Sequence, residues 1–163
     1  VMWKTGHSHL KRKMREDGIL LGGEASGHMF FAEGYYGVDD GLLASCKMIE
    51  IVARHPAPAS GLFDSLPHMH ATPELKAMCP DGEKFRVVDE LVRELKQRYE
   101  TIDIDGVRVL FPGGGWGLVR ASNTNPYLTL RFEAASEAEI DAMKREIYGA
   151  LSRYPSVTLP EGS

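Results

Sequence analysis

The sequence predicts an α/β remnant, part of a mixed or parallel sheet with helices, followed by a small α+β domain with a four-stranded sheet and two helices on one face. Three observations support this. Residues 1–56 run strand, helix, strand, helix; residues 57–72 have a linker composition; and residues 73–163 run helix, hairpin, two strands, helix.

In the first segment, Val1-Met2-Trp3 reads as a strand end, and Thr5-Gly6-His7-Ser8 as a turn in which Ser8 caps a short helix over His9 to Glu16. Gly18 stops that helix. Ile19-Leu20-Leu21 reads as a buried strand that ends in the permissive pair Gly22-Gly23. Asp39-Asp40-Gly41 offers an acidic start to a helix reaching about Arg54, and Leu42, Leu43, Cys46, Met48, Ile49, Ile51 and Val52 make it apolar nearly all round. Such a helix expects cover on several sides. Two strands and two helices do not close a core, so further partners are expected upstream of Val1, and the chain reads as a fragment.

From His55 to Pro80, Pro56, Pro58, Pro67, Pro73 and Pro80 interrupt any regular pattern, and the domain boundary is expected there. Beyond it, Phe85, Val88, Val92, Leu95 and Tyr99 form the apolar stripe of one helix. Asp105-Gly106 between alternating residues marks a hairpin within Thr101 to Phe111. Trp116 to Ala121 and Tyr127 to Ala134 are strands, and Ser136 with Glu139 is the capping box of a helix carrying Ile140, Met143, Ile147 and Leu151 on one face.

Composition narrows the function classes. Nineteen Lys and Arg against 23 Asp and Glu give a net charge of -4, which disfavours nucleic acid and anionic membrane as partners, so any anion site must be local. No apolar run approaches the roughly 20 residues that span a bilayer. Cys46 and Cys79 match no metal or redox spacing, and a reducing, cytoplasmic setting is expected.

Two loops have the residue types for binding chemistry. In Arg120-Ala121-Ser122-Asn123-Thr124-Asn125-Pro126, a guanidinium fork, two hydroxyls, an amide and turn N–H groups make a small dianion cradle; the competing reading is a polar turn that satisfies itself, with Arg120 paired to a surface carboxylate. In Gly23-Glu24-Ala25-Ser26-Gly27-His28, Glu24 and Ser26 suit ligand hydroxyls and His28 titrates near neutral pH; the competing reading is a Gly-rich turn with a solvated Glu24.

G-E-x-S-G-H followed by D-D-G, with R-x-S-N-T-x-P further on, resembles the α-D-phosphohexomutases of the phosphomannomutase/phosphoglucomutase type. Lys4-Thr5-Gly6-His7-Ser8 and the stretch from Trp116 through Ala134 extend the resemblance over most of the chain. It implies the end of a third domain in residues 1–56, a linker in 57–72, and a fourth domain in 73–163. It also implies that Glu24 and Ser26 bind sugar hydroxyls, that His28 and His7 act as acid/base or positioning groups, and that Arg120, Ser122, Asn123 and Thr124 hold phosphate. Expected partners are mannose or glucose phosphates and the N-terminal domains of the same enzyme.

The parent enzyme, as the resemblance implies, interconverts hexose 1- and 6-phosphates through a phosphoserine and a bisphosphorylated sugar, with Mg²⁺. Neither the phosphoserine loop nor an Asp-rich metal loop is recognisable here, so no metal ligands are expected in this chain and no turnover from it alone. Asp39-Asp40-Gly41 is a helix start and not that metal loop. Glucosamine phosphate fits less well, since Ala25 lies where those relatives are expected to carry a polar residue. The alternative class is a catalytically silent sugar-phosphate binding module, and self-association through the apolar first segment is a further expectation. His68-Met69-His70 and His7-Ser8-His9 read as surface histidines, Lys11-Arg12-Lys13 as a solvated face, and Gly113-Gly114-Gly115 as a flexible approach between strands.

Overall fold

In the computed structural model, which describes residues 1–56 and 58–160, glycines bracket the first helix. α1 spans His7–Asp17; Gly6 precedes it at φ 118, and Gly18 ends it in the left-handed region with its N–H on the Met14 carbonyl. Ser8 therefore lies inside the helix and is not its cap. Val1 to Trp3 form no strand. The described chain divides into two units, Val1–Pro67 and His68–Ser163.

In the first unit, β1 (Leu21–Gly23), β2 (Met29–Phe31) and β3 (Val38–Asp39) form a meander in the order β1-β2-β3. Both pairings are antiparallel, whereas a parallel or mixed sheet was expected. The connections, residues 24–28 and 32–37, are too short for the crossover of a dozen or more residues that parallel strands require. Nor is the first strand buried: Leu20 and Leu21 stay more than half exposed, while Phe30 and Met14 are this unit's buried apolar side chains. A Cβ on Gly22 would lie 2.7 Å from the Met14 sulfur, so glycine lets α1 rest on β1. α2 (Gly41–Arg54) buries none of its residues, and Leu42 is 82% exposed.

The second unit is built on β9 (Tyr127–Ala134), an eight-residue strand whose Leu128 to Glu133 pair with β8 (Trp116–Ala121) along one edge. Along the other edge β9 pairs end to end with β4 (His70–Ala71) and β5 (Leu75–Met78). β7 (Val107–Leu110) and β6 (Glu100–Ile102) complete the order β4-β9-β8-β7-β6 with β5 beside β4, all antiparallel. The sheet thus has six strands where four were expected. The two additions are short and bounded by prolines, and they become strands by pairing with the long edge of β9. β4 and a 3₁₀ turn at Ala59–Leu62 both fall in the stretch read as linker.

α3 (Lys84–Leu95) and α4 (Glu137–Leu151) pack on this sheet. Val87, Leu91 and Leu95 meet Val107, Val109, Val119, Leu128, Leu130 and Phe132 in one core with Ile147 and Leu151, all fully buried. The alternation of β8 and β9 turns every second residue to this core, which leaves Arg120, Thr129, Arg131 and Glu133 on the other face. Ser136 caps α4: its Oγ accepts from the Glu139 N–H at 3.3 Å and donates to Glu139 Oε2 at 3.0 Å. None of the helices in the described residues is long and apolar enough to cross a membrane.

The Asp105-Gly106 turn is packed directly on the backbone of β8. Gly106 has φ +81, and a Cβ there would sit 2.2 Å from the Val119 carbonyl and 2.7 Å from the Arg120 Cα. Gly106→Ala combines left-handed strain with a backbone clash and is expected to cost about 2–4 kcal/mol. Gly114→Ala, at φ +94 with nothing near its Cβ, should cost only about 1–2 kcal/mol. Urea unfolding of both variants checks this, and equal losses would contradict it.

Candidate functional site

Glu24 to Gly27 form the turn joining β1 to β2, closed by the Gly27 N–H on the Glu24 carbonyl at 2.9 Å, with Gly27 at φ 93. The loop is thus a hairpin tip, with Ser26 exposed on it. Glu24 folds back toward the start of α1: its Oε1 accepts from the Gly6 N–H at 2.8 Å, and its side chain is only 11% exposed. The reading of Glu24 as a solvated turn residue does not hold. Its other oxygen, Oε2, faces His7 Nε2 at 3.8 Å.

His28 stands beside His7, with ring centroids 4.7 Å apart and the rings edge-on; the His7 ring also contacts Phe30. Asp39 completes the group. Its Oδ2 lies 2.7 Å from His28 Nδ1 and 3.8 Å from His7 Nε2, and its Oδ1 accepts from the Met29 N–H at 3.3 Å. A carboxylate on Nδ1 orients the imidazole and leaves Nε2 to meet a ligand. Asp39 went unassigned in the sequence reading, where it served only as helix-start acid. The next residue, Asp40, fills that role: its Oδ1 takes the Leu43 N–H at 3.0 Å and its Oδ2 the Tyr35 hydroxyl at 2.6 Å. These bonds, the Tyr35 hydroxyl foremost, hold the Asp40 carboxyl below its usual range and push the Tyr35 phenol up.

In the second unit the Arg120 loop is the turn from β8 into β9. Ser122 is 5% exposed; its N–H bonds the Tyr127 carbonyl at 3.0 Å, and its Oγ accepts from the N–H groups of Thr124 (3.4 Å) and Asn125 (3.2 Å). Asn125 Nδ2 donates to Thr124 Oγ1 at 2.9 Å. Asn123 and Thr124 are exposed. Arg120 Nη1 approaches Asp105 Oδ2 at 3.4 Å, so the turn held by Gly106 supplies the carboxylate beside it.

The sequence reading also missed Lys84. This lysine is 3% exposed, and its Nζ donates to the Asn125 carbonyl at 3.0 Å and to Asp81 Oδ1 at 2.6 Å. It ties the start of α3 to the loop. Position 84 precedes an apolar helical stripe and gives no local sign of burial.

Comparison with known proteins covers both units. The family model described as phosphoglucomutase/phosphomannomutase, alpha/beta/alpha domain III, matches residues 1–70, and its C-terminal domain counterpart matches residues 74–150. A phosphomannomutase/phosphoglucomutase of Pseudomonas syringae is 43% identical over 162 residues, 98% of this chain and 35% of that protein. A phosphoglucomutase of Neisseria meningitidis is 42% identical over 98% of the chain and 35% of its own length. The crystal structure of a phosphoglucomutase/phosphomannomutase family protein from Burkholderia thailandensis superposes with a TM-score of 0.82 at 41% identity, over 98% of this chain and 34% of that one. The chain thus spans about a third of the length of these relatives.

Two outcomes follow from the bonds at these loops. Because Asp40 ionises more readily folded than unfolded, the stability it contributes is present above the ordinary carboxylate value and is lost as pH falls through its lowered folded value. The Leu43 amide resonance should therefore titrate with a midpoint below 3.8, and Tyr35→Phe should raise that midpoint; a midpoint unmoved by the substitution would contradict it. Lys84→Met leaves the Asn125 carbonyl without its donor and should cost about 1–3 kcal/mol, with amide shifts concentrated in residues 122–126.

Proposed function

The chain belongs to the phosphoglucomutase/phosphomannomutase family, and from that premise we propose that its two loops are the sugar-reading and phosphate-holding parts of a hexose-phosphate mutase. The observation that supports this best is the hairpin tip of the first unit. Glu24 and His28 leave the same turn, and each is fixed by a group from elsewhere, the Gly6 N–H for Glu24 and Asp39 for His28.

Glu24 Oε2 and the Ser26 hydroxyl meet sugar hydroxyls. His28 Nε2 takes or returns the proton of the reacting hydroxyl, with Asp39 stabilising the imidazolium that forms. His7 lies beside it as a positioning group. In the second unit the Arg120 fork and the Ser122, Asn123 and Thr124 donors hold the phosphate that is not being transferred. Such a grip fixes the position of the reacting end, which is a large part of phosphoryl-transfer catalysis.

In the proposed parent enzyme the transferred group comes from a phosphoserine, passes through a bisphosphorylated sugar, and Mg²⁺ neutralises charge. The acidic pair of this chain does not fit that ion: Asp39 is committed to His28 and the Met29 N–H, and Asp40 to Leu43 and Tyr35. No step is therefore assigned to metal here. The N-terminal domains of the same enzyme are the proposed cover for Leu42, Ile49 and Ile51 on α2. Mannose and glucose phosphates are the proposed substrates.

Titration of the chain with mannose 1-phosphate or glucose 1-phosphate should shift the amides of Arg120, Ser122, Asn123 and Thr124. Arg120→Lys keeps the charge but loses the bidentate fork, and should weaken binding about tenfold. The chain by itself should not interconvert mannose 1- and 6-phosphates. Saturating ligand that leaves those four amides in place would refute the phosphate assignment, and turnover by the isolated chain would refute the division of labour.

A further inference from the structure

We propose that, when no sugar is bound, His7, Glu24 and His28 form a binding site for a borderline divalent transition-metal ion of the Zn²⁺ class, which competes with the sugar contacts proposed above for the same atoms. The three residues each present one ligand atom, and these atoms lie within 4.8 Å of one another. Two of the three side chains are already oriented by a contact through one atom that leaves a second atom for an ion. Glu24 has Oε1 on the Gly6 N–H and Oε2 toward His7. His28 has Nδ1 on Asp39 Oδ2 at 2.7 Å, which leaves Nε2 for an ion in the carboxylate–histidine–metal pattern.

The spacing favours an ion over direct hydrogen bonding. His7 Nε2 stands 3.8 Å from both Glu24 Oε2 and Asp39 Oδ2, beyond hydrogen-bond range for either. Around an ion with bonds of about 2.0–2.1 Å, tetrahedral ligand atoms lie roughly 3.3 Å apart. The His7–Glu24 pair is within about half an ångström of that edge, and no pair among the three ligand atoms is wider than 4.8 Å. The two imidazoles are 44% and 45% exposed at the side chain, so an ion enters from solvent and keeps water on its open position.

Ligand chemistry sets the metal class. Two imidazoles and a carboxylate suit Zn²⁺, Co²⁺ or Ni²⁺, whereas Mg²⁺ prefers an all-oxygen octahedron. The pair His68 and His70 is the natural comparator. Its ring centroids are 5.8 Å apart and its nearest carboxylate, on Glu137, is 3.8 Å from His70.

The test uses Co²⁺ as a spectroscopic and paramagnetic probe on the whole 163-residue chain at neutral pH. The expected result is one Co²⁺ per chain with visible d–d absorption. The largest paramagnetic shifts should fall on the His7 and His28 rings, with Zn²⁺ displacing the ion and a tenfold excess of Mg²⁺ not doing so. His28→Ala should weaken binding at least tenfold, and Asp39→Asn, which keeps all three ligands, by about tenfold through the lost orientation of His28. Shifts centred on His68 and His70, or full Co²⁺ affinity in a folded His28→Ala chain, would overturn the proposal. The shift map is read on the unsubstituted chain, so it decides the matter even if a variant fails to fold.

Discussion

Strand β9 is bonded along both edges, and the second unit depends on that. One edge takes β8 from Leu128 to Glu133, and the other takes β5 and then β4. Its alternate residues, Leu128, Leu130, Phe132 and Ala134, are fully buried under the helices. A one-residue slip would turn all four to the opposite face and expose them, so the register is held by burial. The Arg120 loop is the turn that feeds this strand. Ser122 N–H bonds the Tyr127 carbonyl, and the Pro126 carbonyl accepts from the Cys79 N–H next to β5. Each end of the loop is therefore anchored to a strand that cannot shift.

The first unit relies on a different device. Its buried apolar side chains, Met14 and Phe30, are too few to fix the loops around them. Carboxylates do that work. Glu24 reaches α1 through Gly6, Asp39 holds both His28 and the Met29 N–H, and Asp40 ties α2 to Tyr35. Neighbours on an extended strand point to opposite sides, so Asp39 and Asp40 serve the histidines and the helix separately.

That division explains what the sequence made legible. Strong periodicity gave β8, β9 and α4 nearly to the residue, because each is a buried stripe or an alternating run. The stripe expected on α3 is displaced, since Phe85 is 53% exposed, Tyr99 lies beyond the helix end at Leu95, and Val87 and Leu91 join Val88 and Leu95 on the buried face. β4 and β5 have two and four residues, too short for a pattern to stand out, and both take their place along the free edge of β9. In the first unit, Ile19-Leu20-Leu21 looked like a buried strand because apolar residues are adjacent there, yet Leu20 and Leu21 are mostly exposed. The site residues were visible as loop chemistry. Their second partners, Asp39, Asp105 and Lys84, lie 11, 15 and 41 positions from the groups they bond, and no local pattern records such pairings.

The bonds within the Arg120 loop are compatible with both a self-satisfied turn and the proposed phosphate cradle. Ser122 Oγ accepts the N–H groups of Thr124 and Asn125, so those two amides are spent on the turn and are poor candidates to grip an anion. A hydroxyl that accepts still has its own hydrogen to give. The same holds for Thr124 Oγ1, which accepts from Asn125 Nδ2. The internal bonds fill both acceptor sites of Ser122 Oγ and one of Thr124 Oγ1 and leave each hydroxyl its hydrogen to donate, the polarity a phosphate needs. Arg120 completes the logic: its contact to Asp105 is long at 3.4 Å, a weak hold that keeps the guanidinium near the loop without committing both arms of its fork.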